Sequence, residues 1–135
     1  SVNNIVETGT YQLINFNSVN YHGTKVNPYI DGSYRKGFII GQGMYKVTLI
    51  VNMQSITPGN KVIKITKGDT DEIQAMQLVS VESTSSDTYI QIIAETYVNN
   101  STSGDIVIKL WERGNQNARF LRVTAMCEEL GPANS

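Results

Sequence analysis

Eleven consecutive residues, Gly43-Met44-Tyr45-Lys46-Val47-Thr48-Leu49-Ile50-Val51-Asn52-Met53, restrict the possible folds more than any other stretch of the chain. They alternate with the period of two of a pleated strand. Tyr45, Val47, Leu49, Val51 and Met53 share one side and are all apolar. The other side mixes Met44 and Ile50 with Lys46, Thr48 and Asn52, so it is neither a core face nor an ordinary solvent face. A strand of this kind belongs in the middle of a sheet whose second side also meets protein. A further copy of the same chain is the expected occupant.

The 135 residues suit one domain, since a domain usually takes roughly 100 to 200 residues. Residues 1–9 read as a polar lead-in or linker, 10–130 as the domain and 131–135 as a tail. With 11 basic and 12 acidic side chains scattered along the sequence, the electrostatic footprint of a nucleic-acid binder is missing. No apolar run approaches the roughly 20 residues of a bilayer span, and Ser1 opens no basic-then-apolar leader. Neither nucleic acid nor membrane insertion is therefore expected. Cys127 and His22 are the single cysteine and histidine, which rules out an intrachain disulfide and leaves no Cys/His set for zinc. No cofactor or metal is expected.

Along the chain, Tyr11 to Phe16 reads as a first strand, expected in the same sheet as the organising strand. Asn17 to Arg35 carries Tyr21, His22, Tyr29 and Tyr34 and is too long for an idle connection, so it is expected to hold a function, a short strand or both. Lys36 to Ile40 is a short strand, and Gly41-Gln42-Gly43 a tight turn returning the chain antiparallel. Thr57-Pro58-Gly59-Asn60 is a turn signal. Lys61 to Lys67 reads as an outer strand with Ile63 and Ile65 facing in and its lysines wet. After Ile73 to Val81, Thr88 to Tyr97 repeats the two-sided pattern, with Ile90, Ile92 and Ala94 opposite Tyr89, Gln91, Ile93, Glu95 and Tyr97. Asp105 to Glu112 places Ile106, Ile108 and Leu110 inward and Val107, Lys109 and Trp111 outward. Arg119 to Cys127 closes the set.

No segment has helical spacing, and strands separated by turn chemistry at this interval imply an all-β antiparallel sandwich, here a jelly roll of about eight to ten strands. In that plan both termini and the turns at Gly41, Gly68 and Val98 gather at one end. The loops at Asn17 to Arg35, Ser55 to Asn60, Glu82 to Asp87 and Arg113 to Asn117 gather at the other.

Phe38-Ile39-Ile40, the Gly43-Met44-Tyr45-Lys46-Val47-Thr48 opening after a glycine turn, Ser103-Gly104-Asp105-Ile106-Val107-Ile108 and a short apolar closing strand resemble the tumour-necrosis-factor and complement-globular-head superfamily of jelly rolls. The likeness spans about Tyr11 to Leu130. Gln42-Gly43 stands where that family usually has Pro-Gly, which brings the chain nearer to the bacterial and bacteriophage members: virion fibre heads, tail needles and spore-surface filaments. The resemblance implies a homotrimer, on the virion surface or otherwise extracellular. Its interface would hold Met44, Ile50, Tyr89, Ile93, Tyr97, Phe120, Arg122 and Met126, the outward residues of the two-sided strands. Large apolar groups left wet would forfeit roughly 1.5 to 3 kcal/mol each, and a monomer rarely keeps such a patch.

No catalytic constellation is present, since the one histidine sits in a polar loop. The run Asp69-Thr70-Asp71-Glu72 places oxygens at alternate positions as calcium sites do but lacks the remaining ligands and reads as a solvated turn. Asn99-Asn100-Ser101-Thr102 contains two glycosylation sequons, expected to be inert in a bacterial or phage product. Trp111, with Arg113, Asn115, Gln116 and Asn117, resembles the aromatic platform and donors that grip sugars or protein receptors. Equally, Trp111 packs under a neighbouring loop or subunit. Tyr21, His22 and Tyr29 form a second candidate surface, with the trimer seam as the alternative for them. The leading expectation is a non-enzymatic trimeric head of a virion or phage fibre that binds a host cell-surface receptor, a glycan or a protein. The alternatives are a structural trimerisation cap without receptor contact and a monomeric carbohydrate-binding β-sandwich.

Overall fold

The computed structural model describes residues 11–14, 20–55, 58–81, 88–113 and 118–134. It is a β-sandwich of ten strands among the described residues, with no helix among them. The strands are β1 (Gln12–Leu13), β2 (Asn20–His22), β3 (Val26–Asp31), β4 (Tyr34–Ile40), β5 (Gly43–Ser55), β6 (Gly59–Lys67), β7 (Glu72–Val81), β8 (Thr88–Asn100), β9 (Ile106–Arg113) and β10 (Ala118–Gly131). One sheet has the order β3-β4-β9-β6-β7, with β1 on β9, and the other β2-β10-β5-β8.

The organising strand is β5. Tyr45, Val47, Leu49, Val51 and Met53 are all buried, and β5 is flanked by β8 and β10 along almost its whole length. Across the sandwich the same core holds Phe38, Ile40, Ile63, Ile65, Ile108 and Leu110 of the six-stranded sheet. Each alternation read from sequence for β8 and β9 is kept: Ile90, Ile92, Ala94, Ile108 and Leu110 are buried.

Four expectations change. The first strand lies in the other sheet: Gln12 and Leu13 pair with Glu112 and Trp111 of β9, and Ile14 N–H donates to the Leu110 carbonyl at 2.9 Å. A single two-sided segment has no local signal naming its sheet. In the sheet expected for it, the seat beside β10 is taken by β2, which runs parallel to β10 with Asn20 opposite Met126 and His22 opposite Glu128. The long Asn17 to Arg35 segment thus contains two strands, β2 and β3. The Gly41-Gln42 turn does not fold a hairpin, because β4 and β5 belong to different sheets. It crosses the sandwich. The described chain starts and stops at opposite ends, with Tyr11 adjoining β1 beside the β9 terminus at Arg113 and Gly131 opposite Met44. The fourth change is at β6, where strict alternation places Lys61 on the side of Ile63 and Ile65. Lys61 is buried rather than wet.

Side chains replace a backbone ladder at the crossing turn. Asn100 Nδ2 donates to the carbonyls of Ile40 at 3.1 Å and Gly104 at 3.0 Å, and Tyr45 Oη donates to the Gly41 carbonyl at 2.9 Å. Burial pushes the Tyr45 phenol up to about 12, so it stays a donor at any physiological pH. At Gly37 the β4 backbone approaches β9 so closely that a Cβ would overlap the Ile108 carbonyl oxygen.

Lys61 and Glu112 are both buried on the inner side of their strands, and Glu112 Oε2 has no hydrogen-bond partner among the described residues. Desolvation raises the Glu112 carboxyl to about 7, partly opposed by the Lys61 charge, and lowers the Lys61 ammonium. A carboxyl whose folded pKa is raised holds a proton that the unfolded chain has already lost, so it favours the fold fully below its ordinary 4.5 and progressively less as pH rises through about 7.

Two outcomes follow from these packing features. Gly37→Ala is expected to lower unfolding free energy by about 2 to 4 kcal/mol in urea titrations. Between pH 4.5 and 7 the wild type should lose stability relative to Glu112→Gln, on the order of 1 to 3 kcal/mol. Parallel thermal melts of the two proteins across that window measure the difference.

Candidate functional site

Two outer faces carry the side chains that the sandwich core does not use. On the four-stranded sheet, register places residues in rows: Tyr97-Lys46-Glu128-His22, Glu95-Thr48-Met126-Asn20, Ile93-Ile50-Thr124 and Gln91-Asn52-Arg122. Tyr89 is 71% exposed, Tyr97 64%, Ile93 48% and Met126 38%, while Met44 and Ile50 are half-buried. Arg122 is exposed. Seven of the eight residues expected at a subunit interface therefore lie on one face. The side chain of the eighth, Phe120, lies outside the described residues, although its backbone pairs with Met53.

Several polar groups of this face, Arg122 and Glu128 not among them, satisfy one another in the plane of the sheet. Glu95 takes a hydrogen bond from Thr48 Oγ1 at 2.8 Å and an ion pair from Lys46 at 3.7 Å. Gln91 Nε2 donates to Asn52 Oδ1 at 3.0 Å, and Gln54 Nε2 reaches the Tyr89 hydroxyl at 3.4 Å. Paired groups lose less on leaving water than isolated ones. The face can be covered without stranding Lys46 or Glu95.

The outer face of the six-stranded sheet is built differently. Trp111 on β9 is half-buried, and its indole N–H donates to Thr66 Oγ1 at 2.8 Å. The register row through it is Leu13-Trp111-Lys64. Lys64 Nζ stands 3.7 Å from the centroid of the Tyr11 ring and 5.3 Å from that of Trp111, and Lys109 Nζ 5.8 Å from Trp111. The Arg113 guanidinium lies 4.5 Å from the Tyr11 ring centre. Lys109 pairs with Asp71 at 3.2 Å. Cations over ring faces contribute about 0.5 to 1 kcal/mol each at exposed sites, and here they hold two aromatic rings and three basic side chains in one patch.

The residues expected to bind a receptor do not form one cluster. Trp111 and Arg113 share the six-stranded face; Tyr29 sits on the same sheet, in register with Gly37 and through it with Lys109. Tyr21 and His22 are exposed on β2 at the edge of the other sheet, near the Gly41 end. Asn115, Gln116 and Asn117 lie outside the described residues. Tyr11 and Lys64 were missed, because neither shows its neighbours in the sequence. Their signal was available only in the lysine of β6 that alternates outward and in the tyrosine that opens the first strand.

The remaining motifs are accounted for structurally. Asp71 pairs with Lys109 and Glu72 with Lys67, and no group of three metal-ligating side chains exists among the described residues. Among those residues, no helix is long and apolar enough to cross a membrane. In the sequons, Asn100 is buried and its Oδ1 accepts from the N–H and hydroxyl of Thr102, while Asn99 exchanges hydrogen bonds with the backbone of Asn134 at 2.9 and 3.2 Å.

No protein-family model matches the chain, and no curated protein matches it. Among solved structures, an arabinose-bound α-L-arabinofuranosidase is 11% identical with a TM-score of 0.37, over 89% of this chain and 22% of that one. That likeness carries no argument about fold or activity.

Asn100→Ala is expected to cost about 2 to 4 kcal/mol, because it strands the Ile40 carbonyl and removes the bonds that bridge β4 to the turn after β8. Chemical denaturation measures the loss. Expressed in a glycosylating host, the folded protein should carry no glycan at Asn100, as intact-mass analysis would register.

Proposed function

We propose that the chain is a non-enzymatic, homotrimeric head domain of the tumour-necrosis-factor-like jelly-roll type. It would serve a virion or phage fibre or tail appendage, at the virion surface or otherwise outside the cell, and attach to a host cell-surface receptor. One observation carries this reading: the outer face of the four-stranded sheet exposes Tyr89, Ile93, Tyr97 and Met126 together, with its central charges already paired. Large apolar groups exposed on one sheet face, here with Gln91 and Glu95 between them, support an interface there, and three copies around an axis give a closed assembly. The alternation of the chain between sheets, with local hairpins only at β3-β4 and β6-β7, supports the jelly-roll description.

Covering the four-stranded face leaves the six-stranded face turned outward. Receptor contact is accordingly assigned to that face, at the half-buried Trp111 rather than at Arg113, which is buried, and not to one cluster of loops at a tip. The separation of Tyr21 and His22 from Trp111 favours a second reading, a trimerisation cap that keeps a fibre in register without touching a receptor. Competition of the purified domain against particle adsorption to host cells separates the two, since a cap would not compete.

Light scattering at micromolar concentration should give about three times the 14.9 kDa chain mass. Ile93→Lys, which places a charge in the middle row of the face, should shift the mass to that of one chain with the β-sheet circular dichroism intact. A wild-type monomer at that concentration would remove the proposal.

A further inference from the structure

On the outward face of the six-stranded sheet, we infer a binding site for an acidic glycan, a carboxylate-bearing sugar held between Tyr11, Lys64 and Trp111. This rests on the attachment reading above and adds the chemical class of the ligand. Lys64 is half-buried, with its ammonium 3.7 Å from the Tyr11 ring centre and 5.3 Å from that of Trp111. None of the four ion pairs among the described residues includes it. Its neighbour Lys109 is neutralised by Asp71. Lys64 is therefore a cation kept in place by aromatic rings rather than by an acid, so its charge is intact and much of the entropy of fixing a long side chain is spent before any ligand arrives.

The Tyr11 ring is covered by Lys64 at 3.7 Å and Arg113 at 4.5 Å, so it positions the cation, while the indole and the ammonium ask for different things of a ligand. An aromatic surface takes the C–H face of a pyranose, and the Trp111 N–H, already donated to Thr66, is not available to the ligand, so the indole offers stacking area only. The ammonium takes an anion through charge-assisted hydrogen bonds. A sugar ring bearing a carboxylate supplies both within one residue. A neutral sugar leaves Lys64 without an anion, and an acidic peptide supplies no pyranose face for the indole. Nucleic acid is disfavoured by the net charge of -1, which gives no field to hold a polyphosphate. Leu13, in the row with Trp111, and the Arg113 guanidinium, 4.5 Å from the Tyr11 ring centre, bound the site.

The test titrates the full chain by calorimetry with a galacturonate hexamer, with cellohexaose and a glutamate hexapeptide as comparison probes. The galacturonate hexamer should bind and cellohexaose should not. Lys64→Met, which keeps the stem and removes the charge, should weaken binding by about tenfold or more. Lys64→Arg should retain it, and circular dichroism should show both variants folded. The inference is overturned if the galacturonate hexamer does not bind, if Lys64→Met binds as wild type does, or if the peptide binds as tightly as the sugar. Adsorption competition with Lys64→Met separates this failure from failure of the attachment reading. A variant that competes as well as wild type refutes the site and leaves attachment standing, whereas a wild type that never competes refutes attachment whatever the sugar titration gives.

Discussion

The sandwich depends on the contact between one side of β5 and the inner side of the opposing sheet. Tyr45, Val47, Leu49, Val51 and Met53 present an unbroken apolar ridge, and Phe38, Ile40, Ile63, Ile65, Ile108 and Leu110 form the surface it meets. Burying side chains of this size contributes roughly 1.5 to 3 kcal/mol each, so this contact outweighs each of the four ion pairs among the described residues, which involve partly exposed groups. Because β5 is central, with β8 and β10 hydrogen-bonded to its two edges, its position fixes theirs. Their outward side chains then fall into rows, and the outer face of the four-stranded sheet is a consequence of the core.

A second constraint comes from connectivity. Chains that pass from sheet to sheet cannot secure their turns with a shared ladder, so buried side chains must hold them. Asn100 and Tyr45 do this at the Gly41 end, where they satisfy carbonyls that would otherwise be unpaired in a buried setting. Toward the other end of β6 and β9 lie Lys61 and Glu112, two buried groups whose ionisation is resisted by desolvation. Buried charged groups of this kind are weak contributors to stability and sensitive to the loss of a partner.

The two outer faces differ in how their charges are satisfied, and that difference separates their proposed roles. On the four-stranded sheet Lys46 is answered by Glu95 in the plane, so covering the face strands neither charge. On the six-stranded sheet Lys64 is answered by aromatic rings, which position it without cancelling it. The face proposed to be dried and the face proposed to meet an anion sit on opposite sides of one core.

Local alternation determined much of this protein from sequence alone. A period of two names which residues of a strand share a side, and so Tyr45 to Met53, Ile90 to Ala94 and Ile106 to Leu110 were assignable to the core, and Tyr89, Ile93, Tyr97 and Trp111 to the outside. Partner choice was not legible, because hydrogen bonds between backbones carry no side-chain signature. The sheet that takes β1, the parallel seat of β2 beside β10, the crossing at Gly41-Gln42 and the burial of Lys61 were all settled by which strands could cover the same core together. For the same reason the sequence offered Trp111 as a lone aromatic, and only the placement of β1 and β6 on either side of β9 set Tyr11 and Lys64 around it.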